Sequence, residues 1–269
     1  MDTPSITDNE FKQFQKLIYD IAGINMSPIK KPLVMGRLAK RLNHHGLHSY
    51  GDYYKLINSD SHSQELQLAV DLLTTNETYF FREPKHFDFL QRQILPSHSR
   101  SKPFRVWSAA CSSGQEPYSA AMILDNALGN NSWEIIASDI SSRILDKARN
   151  GHYLVEQAEH IPKEFLKKYC LKGVGPQDGT FLIDKKLRKH IKFSQINLNE
   201  TFPSLEKVDL IFLRNVMIYF NPETKRKVVT KLADILKPGG YLFIGHSESL
   251  NGIYDDFITI APAIYRKKQ

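Results

Sequence analysis

Apolar residues in the first quarter of the chain recur every three or four positions. Phe11, Phe14, Leu17, Ile18 and Ile21 form one such stripe, so the pattern predicts an amphipathic helix over residues 7–21. Thr7 or Asp8 caps it with Glu10 behind, and Gly23 stops it. A second helix over about residues 30–42 puts Val34, Leu38 and Leu42 on one arc. Lys30, Arg37, Lys40 and Arg41 fall on the neighbouring arc with no acid among them, which reads either as a solvated face or as a docking surface for an acidic partner. Helical patterns over 50–57 and 64–73 complete an all-helical N-terminal module, residues 1–75.

The rhythm then changes. Residues 74–84, TTNETYFFREP, make a polar and aromatic junction, and Pro84 opens a helix with Phe87, Leu90 and Ile94 on one side, so that 76–103 link two domains. The junction reads as an interdomain packing segment or as part of a ligand cleft, since clefts favour domain boundaries. From Phe104 onward short buried runs at 104–109, 134–138, 191–196, 208–213 and 241–245 alternate with helical stretches at 120–128, 141–149 and 222–236. Such alternation predicts an α/β domain over 104–269, built on a doubly wound parallel sheet. Lys237-Pro238-Gly239-Gly240 reads as the turn after the last helix, and 257–260 with 263–266 as a closing antiparallel pair. Between 151 and 190 the alternation fails. A short helix at 163–169, the glycine-rich stretch GVGPQDG and an extended run at 180–183 predict a small inserted antiparallel β-subdomain built on a hairpin.

Candidate chemistry collects where the strands end. Asp139, Asn197 and Asn215 fall at carboxyl ends of parallel strands, the edge on which doubly wound sheets bind ligands. The first strand runs into a turn of small residues, Ala109 to Gly114, and Glu116 opens the next helix, an arrangement that lays a ligand against backbone N–H groups. Only Gly114 matches the glycine-rich fingerprint of nucleotide sites; Ala109, Ala110, Ser112 and Ser113 replace the other glycines and allow close approach less freely. Asp139 lies about the fingerprint's distance beyond the turn and has the chemistry to accept ribose hydroxyls.

Composition excludes several classes. The 269 residues are 41% hydrophobic, and no apolar run nears the roughly 20 residues that span a bilayer. The opening MDTPSITDNE has no apolar signal segment, so a cytoplasmic protein is expected. Cys111 and Cys170 lack metal-ligand spacing, and His44, His45 and His48 have no neighbouring acid or cysteine to complete a ligand set, so no metal is expected. A net charge of +7 fits nucleic acid or an acidic protein, but no nucleic acid module is recognisable. His246-Ser247-Glu248 and Cys111 lack the partners of a hydrolytic triad.

NETYFFRE, WSAACSSGQEPYS, ASDIS, RNVMIYF and LKPGGYLFIGHSESL, in this order and spacing, resemble the chemotaxis receptor methyltransferases of the CheR type, over nearly the whole chain. The resemblance implies a Rossmann-like S-adenosylmethionine methyltransferase sheet and transfer of that cofactor's methyl group to glutamate side chains on cytoplasmic chemoreceptor helices. The products are glutamyl methyl esters and S-adenosylhomocysteine. Methylation of RNA or a small molecule, and a noncatalytic adapter, are the alternatives. On the resemblance, Asn76, Thr78 and Arg82 reach into the cofactor cleft, Glu116 is a carboxylate near the cofactor, and Asp139 meets its ribose. Asn197 and Leu198 lie around its base, and Asn215 and Val216 at the fourth strand end. Arg82 is implied to orient either the substrate or the methionine carboxylate, and Tyr219 to line the reactive centre. Arg37, Lys40 and Arg41 become a surface for acidic receptor helices, and the loop with Gly173, Gly175 and Gly179 a grip for a receptor's C-terminal tail peptide. A monomer without nucleic acid partner or membrane insertion, recruited to membrane receptor arrays, is the resulting expectation.

Overall fold

The computed structural model describes residues 4–59, 62–99, 101–129 and 133–269. Four helices open the chain: α1 Asp8–Ala22, α2 Lys31–His44, α3 Tyr50–Ile57 and α4 Ser63–Leu73. The Thr7 side chain accepts from the Glu10 N–H while the Glu10 carboxylate accepts from the Thr7 N–H, a reciprocal cap, and Gly23 ends α1 at φ 70°. Their stripes meet in one core, in which Phe14 is wholly buried, stacks on Tyr53 at 6.4 Å and meets Tyr50 and Tyr54 edge-on.

The basic arc of α2 departs from the expected docking surface. Arg41 donates to both oxygens of Glu65 on α4, at 2.8 and 2.6 Å, and Arg37 donates to the carbonyls of Leu73 and Thr74 and the hydroxyl of Thr75. Both arginines are therefore committed within the molecule, where they hold α4 and the start of the junction; Lys30 and Lys40 stay exposed. The acid missing from the arc itself is supplied 24 residues later.

Burial alone pushes the Glu65 carboxyl up, but hydrogen bonds from Arg41, Tyr53 and His45 outweigh it and hold the pKa down at about 2. Its contribution to stability is complete above the ordinary glutamate value and is lost as pH falls toward 2. Arg41→Met is expected to cost about 1.5–3 kcal/mol at pH 7 by removing the charged partner of a buried carboxylate that keeps only Tyr53 and His45. Thermal melts of variant and parent should converge on acidification; an arginine that serves only docking leaves the melting temperature unchanged.

Past the junction come α5 Pro84–Phe89, which continues as a π turn at Leu90–Ile94, then β1 Phe104–Ser108, α6 Gln115–Leu128, β2 Trp133–Asp139 and α7 Ser142–Asn150. The insertion holds β3 His152–Leu154, α8 Lys163–Tyr169, β4 Cys170–Lys172, β5 Thr180–Ile183 and α9 Lys185–Arg188. Its sheet has three strands, β3-β5-β4, rather than a hairpin alone. β6 Ile191–Gln195, β7 Val208–Leu213, α10 Pro222–Ile235, β8 Leu236–Ile244, β9 Phe257–Ala261 and β10 Ile264–Lys267 complete the chain.

The main sheet runs β6-β2-β1-β7-β8-β10-β9, with β10 antiparallel to both its neighbours. From β1 the chain steps outward to β2 and β6, then crosses back to β7 and β8, so the direction of winding reverses between β1 and β7. This is a Rossmann-like doubly wound sheet with an all-helical N-terminal unit, and its crevice opens at that reversal. Lys237 to Gly240 proves not to be a turn before the strand. β8 already pairs at Leu236 opposite Val208, and the register then shifts so that Leu210 faces Tyr241, which absorbs the Pro-Gly-Gly as an irregularity inside the strand. No helix among the described residues is long and apolar enough to cross a membrane.

Candidate active site

Strand ends and the junction line one cleft. Ala109, Ala110 and Ser112 follow β1, Asp139 and Ile140 end β2, Ile196 to Leu198 follow β6, and Arg214 to Val216 follow β7. Ala22 and Ile24 at the end of α1, residues 74–78 and Arg82 form the facing wall, with Tyr219 and Phe220 beside them. The N-terminal unit is tied into this wall: the Asn25 N–H donates to the Tyr219 carbonyl at 2.7 Å, and Ile24 bridges Phe220.

The small-residue turn is held from three directions. The Ser112 N–H donates to Asp139 Oδ2 at 2.9 Å, its hydroxyl donates to the Asn76 carbonyl at 2.8 Å, and the Cys111 N–H donates to the Ser138 carbonyl. Ser112 adopts φ 49°, a strained conformation for a residue with a Cβ, kept by these bonds. Gly114 is required where it stands: at φ 96° an added Cβ would lie 3.0 Å from the Ala148 Cβ and from the Tyr153 hydroxyl.

Asp139 accepts one N–H on each oxygen, from Ser112 and from Ser141, and retains lone pairs at the cleft. Burial pushes its carboxyl up, and those two N–H groups pull it back toward the ionised form. At the other end of the cleft, Arg214 is buried and shared by two carboxylates. It donates to Glu116 Oε2 at 3.0 Å, lies 3.2 Å from Glu83 Oε2 and donates to the Arg82 carbonyl. One guanidinium cannot satisfy two buried acids equally. Burial drives Glu116 up despite Arg214 and the Ser108 hydroxyl, whereas in Glu83 Arg214, the His246 N–H and the Asn215 amide overcome burial and hold the carboxyl down.

Asn215 turns the chain out of β7 at φ 56°. Glu248 fixes that turn, its carboxylate accepting from the N–H groups of Asn215, Gly245 and Ile218. His246-Ser247-Glu248 thus builds the loop behind the cleft, and Cys111 is buried with its thiol pushed up by burial and by Asp139.

Asn76, Thr78, Arg82, Glu116, Asp139, Asn197, Leu198, Asn215, Val216 and Tyr219 all line this one cleft. The Asn197 amide, however, is spent within the protein: it donates to the Ile21 carbonyl and to Glu200 while its oxygen accepts from Asn199. Arg82 donates to the Glu77 carbonyl at 2.8 Å, lies over the Tyr79 ring and, of the two cations lining the cleft, is the one without an acidic partner among the described residues. Gly173, Gly175 and Gly179 lie apart, in the loop from β4 to β5, where a Cβ on Gly173 would sit 2.0 Å from the Gln177 carbonyl oxygen. A groove lined by Glu77, Lys147, His152 and Thr180 leads from the cleft lip toward that small sheet. Arg214 and Glu83 are the residues that pattern reading passed over, and Glu248, weighed there only for hydrolytic chemistry, instead supports the Asn215 turn. The available signal was Arg214 itself, a charge placed directly after the apolar run of β7, which has to find buried acids.

The family model for the CheR methyltransferase SAM binding domain matches residues 76–265, and that for the CheR methyltransferase all-alpha domain matches 9–74. The chain is 40% identical over 265 residues to a chemotaxis protein methyltransferase of Klebsiella aerogenes, covering 97% of this chain and 90% of that protein. It is 39% identical over 274 residues to one of Borreliella burgdorferi, covering 98% and 95%. Among solved structures, the N-methyltransferase NodS from Bradyrhizobium japonicum in complex with S-adenosyl-L-homocysteine is similar over 67% of this chain and 70% of its own, at 16% identity and a TM-score of 0.37.

Proposed function

The chain belongs to the CheR methyltransferase family and carries its S-adenosylmethionine-binding domain, and from that premise we propose that it methylates glutamate side chains of chemoreceptor cytoplasmic domains. The observation that carries the proposal is the single cleft in which Asp139, Arg82 and Tyr219 are brought together.

The residues fit the cofactor. Asp139 keeps acceptor capacity for two ribose hydroxyls, Ile140, Ile196 and Leu198 offer apolar flanks for a purine, and Arg82, with one nitrogen on the Glu77 carbonyl, has the rest of its fork to meet a carboxylate. Asn197, its amide already engaged, is left to serve a base through its backbone, and Asn215 and Val216 line the cleft at the end of β7. When bound, S-adenosylmethionine supplies a methyl carbon already activated by the sulfonium.

Little proton chemistry is then asked of the protein. A glutamate with a pKa of about 4.3 is a carboxylate at neutral pH, so no general base is needed. The chain's contribution is alignment and exclusion of water. Arg82 orients the cofactor's own carboxylate rather than the substrate's, because Arg214 is already neutralised by Glu83 and Glu116 and no other cation lines the cleft among the described residues. Leaving the substrate glutamate unpaired also preserves its nucleophilicity, with Tyr219 positioned to direct it by one hydrogen bond.

Receptor helices approach over Lys30 and Lys40, the exposed remainder of the basic arc. The loop with Gly173, Gly175 and Gly179 and the neighbouring exposed Leu171 and Val174 grip a receptor tail as an added strand, which raises effective concentration without altering the cleft.

The test supplies methyl-labelled S-adenosylmethionine with receptor cytoplasmic fragments that carry or lack a C-terminal tail. Mild base should release the label as methanol, and the tailed fragment should react faster at low concentration. Label that resists base points to another acceptor atom, equal rates remove the tail from the reading, and cofactor binding without transfer leaves an adapter.

A further inference from the structure

Beneath the cleft, three side chains converge that methyl transfer does not require as a group. Glu83 precedes α5, His86 lies within it, and His246 follows β8. His86 is fully buried, stacked on Phe243 and edge-on to His246, each with ring centroids 5.1 Å away. Neither of its ring nitrogens has a hydrogen-bond partner among the described residues. A phenyl ring would serve that aromatic niche at no polar cost, so a buried imidazole whose Nδ1 faces only the Glu83 carboxylate at 3.4 Å, without a hydrogen bond, and whose Nε2 has no partner among the described residues points to a ligand.

We propose that Glu83, His86 and His246 form a binding site for a divalent ion of the zinc class. His86 Nδ1 lies 3.4 Å and His246 Nε2 3.9 Å from Glu83 Oε2, and one donor atom from each residue falls within 4.8 Å of the others. A tetrahedral zinc site with bonds of about 2.1 Å spaces its ligand atoms about 3.4 Å apart, so small rotations of the rings close the set. Two imidazoles and one carboxylate suit a borderline-soft ion better than calcium or magnesium. His246 is half exposed, which gives the ion a route in and leaves a fourth position for water.

The ion has a rival inside the protein. Glu83 Oε2 is the oxygen that faces Arg214, at 3.2 Å, so metal and guanidinium compete for it. With the ion bound, Arg214 keeps Glu116 and the Arg82 carbonyl but loses its third anchor, and the cleft wall that carries Arg82 loosens. This coupling, though not the ion site itself, rests on the cofactor reading of the cleft. It makes the ion an inhibitor that weakens S-adenosylmethionine binding about tenfold, and by reciprocity the cofactor weakens ion binding by the same factor.

Titration of the whole protein with cobalt chloride tests the site through visible absorption alone. The expected result is a ligand-field band that saturates at one equivalent, disappears on addition of zinc, and is absent from His246→Ala and from His86→Phe. His246→Ala alters a half-exposed ring and keeps the test open if His86→Phe fails to fold. No band, a band that survives His246→Ala, or one removed instead by substituting His44 and His48 overturns the site. Calorimetry with S-adenosylmethionine, with and without zinc, then reads the coupling: a tenfold weakening confined to protein with His246 intact supports it, and unchanged affinity beside an intact cobalt band overturns it. Failure to bind S-adenosylmethionine at all, with the band present, counts against the cofactor reading and not against the ion site.

Discussion

Arg214→Met is expected to abolish methyl transfer and to lower stability by about 3–5 kcal/mol, because it strands two buried carboxylates that share one counter-ion. For a domain of this size that corresponds to a fall in melting temperature on the order of 10 °C. Arg214 has three recipients, Glu116, Glu83 and the Arg82 carbonyl, so its loss both unpairs charge and releases the junction from the strand ends. The sign of the pH dependence identifies the cause. Without the guanidinium, burial raises both carboxyls above their unfolded values; the variant then binds more protons folded than unfolded, and its stability falls as pH rises through those raised values. Melts between pH 5 and 8 should show the deficit smallest at the acid end, and Arg214→Met with Glu83→Gln should recover part of it. Arg214→Lys keeps one charge but not the fork, so it should restore stability more than activity. A deficit that does not vary with pH, unrelieved by Glu83→Gln, would attribute the loss to packing instead.

That arrangement also marks what the amino-acid pattern discloses and what it withholds. The helices of the N-terminal unit and the parallel strands are legible because their signals are local: the Phe11 to Ile21 stripe, the Thr7 and Glu10 cap, the apolar run of β7 ending near Asn215. Strand ends in a doubly wound sheet share one edge, so Asp139, Asn197 and Asn215 could be placed together before any fold was known. Partners distant in sequence leave no such trace. Arg41 finds Glu65 across two helices and Arg214 finds Glu83 from 131 residues away, so Arg41, read as part of a solvated face or a docking surface, proves internal. Short elements are equally hidden: β3 has three residues, of which only Tyr153 is buried, too few to establish an alternation. In β8 the prolyl and glycyl residues outweigh the strand signal locally, and only pairing with β7 recovers it.

Arg82→Ala should raise the dissociation constant for S-adenosylmethionine by about 10- to 100-fold, the loss of one charge-assisted interaction worth about 1.5–3 kcal/mol, while the receptor KM stays unchanged. The reasoning is electrostatic. A cofactor bearing a carboxylate enters a cleft whose acids are Glu77, Glu116 and Asp139 and whose cations are Arg82 and Arg214. Arg214 is consumed by Glu83 and Glu116, which leaves Arg82 to oppose the incoming charge; one of its nitrogens is anchored on the Glu77 carbonyl, and the rest of the fork can present a bidentate face. S-adenosylhomocysteine retains the carboxylate but not the methyl group, so its affinity should fall by the same factor as the substrate's. An arginine engaged with the receptor glutamate behaves differently: its removal raises the receptor KM or lowers kcat and leaves S-adenosylhomocysteine binding untouched. Calorimetry with that product and steady-state rates at saturating cofactor separate the two, and Arg82→Lys, which preserves charge without the fork, should fall between parent and alanine variant if the carboxylate is held bidentately.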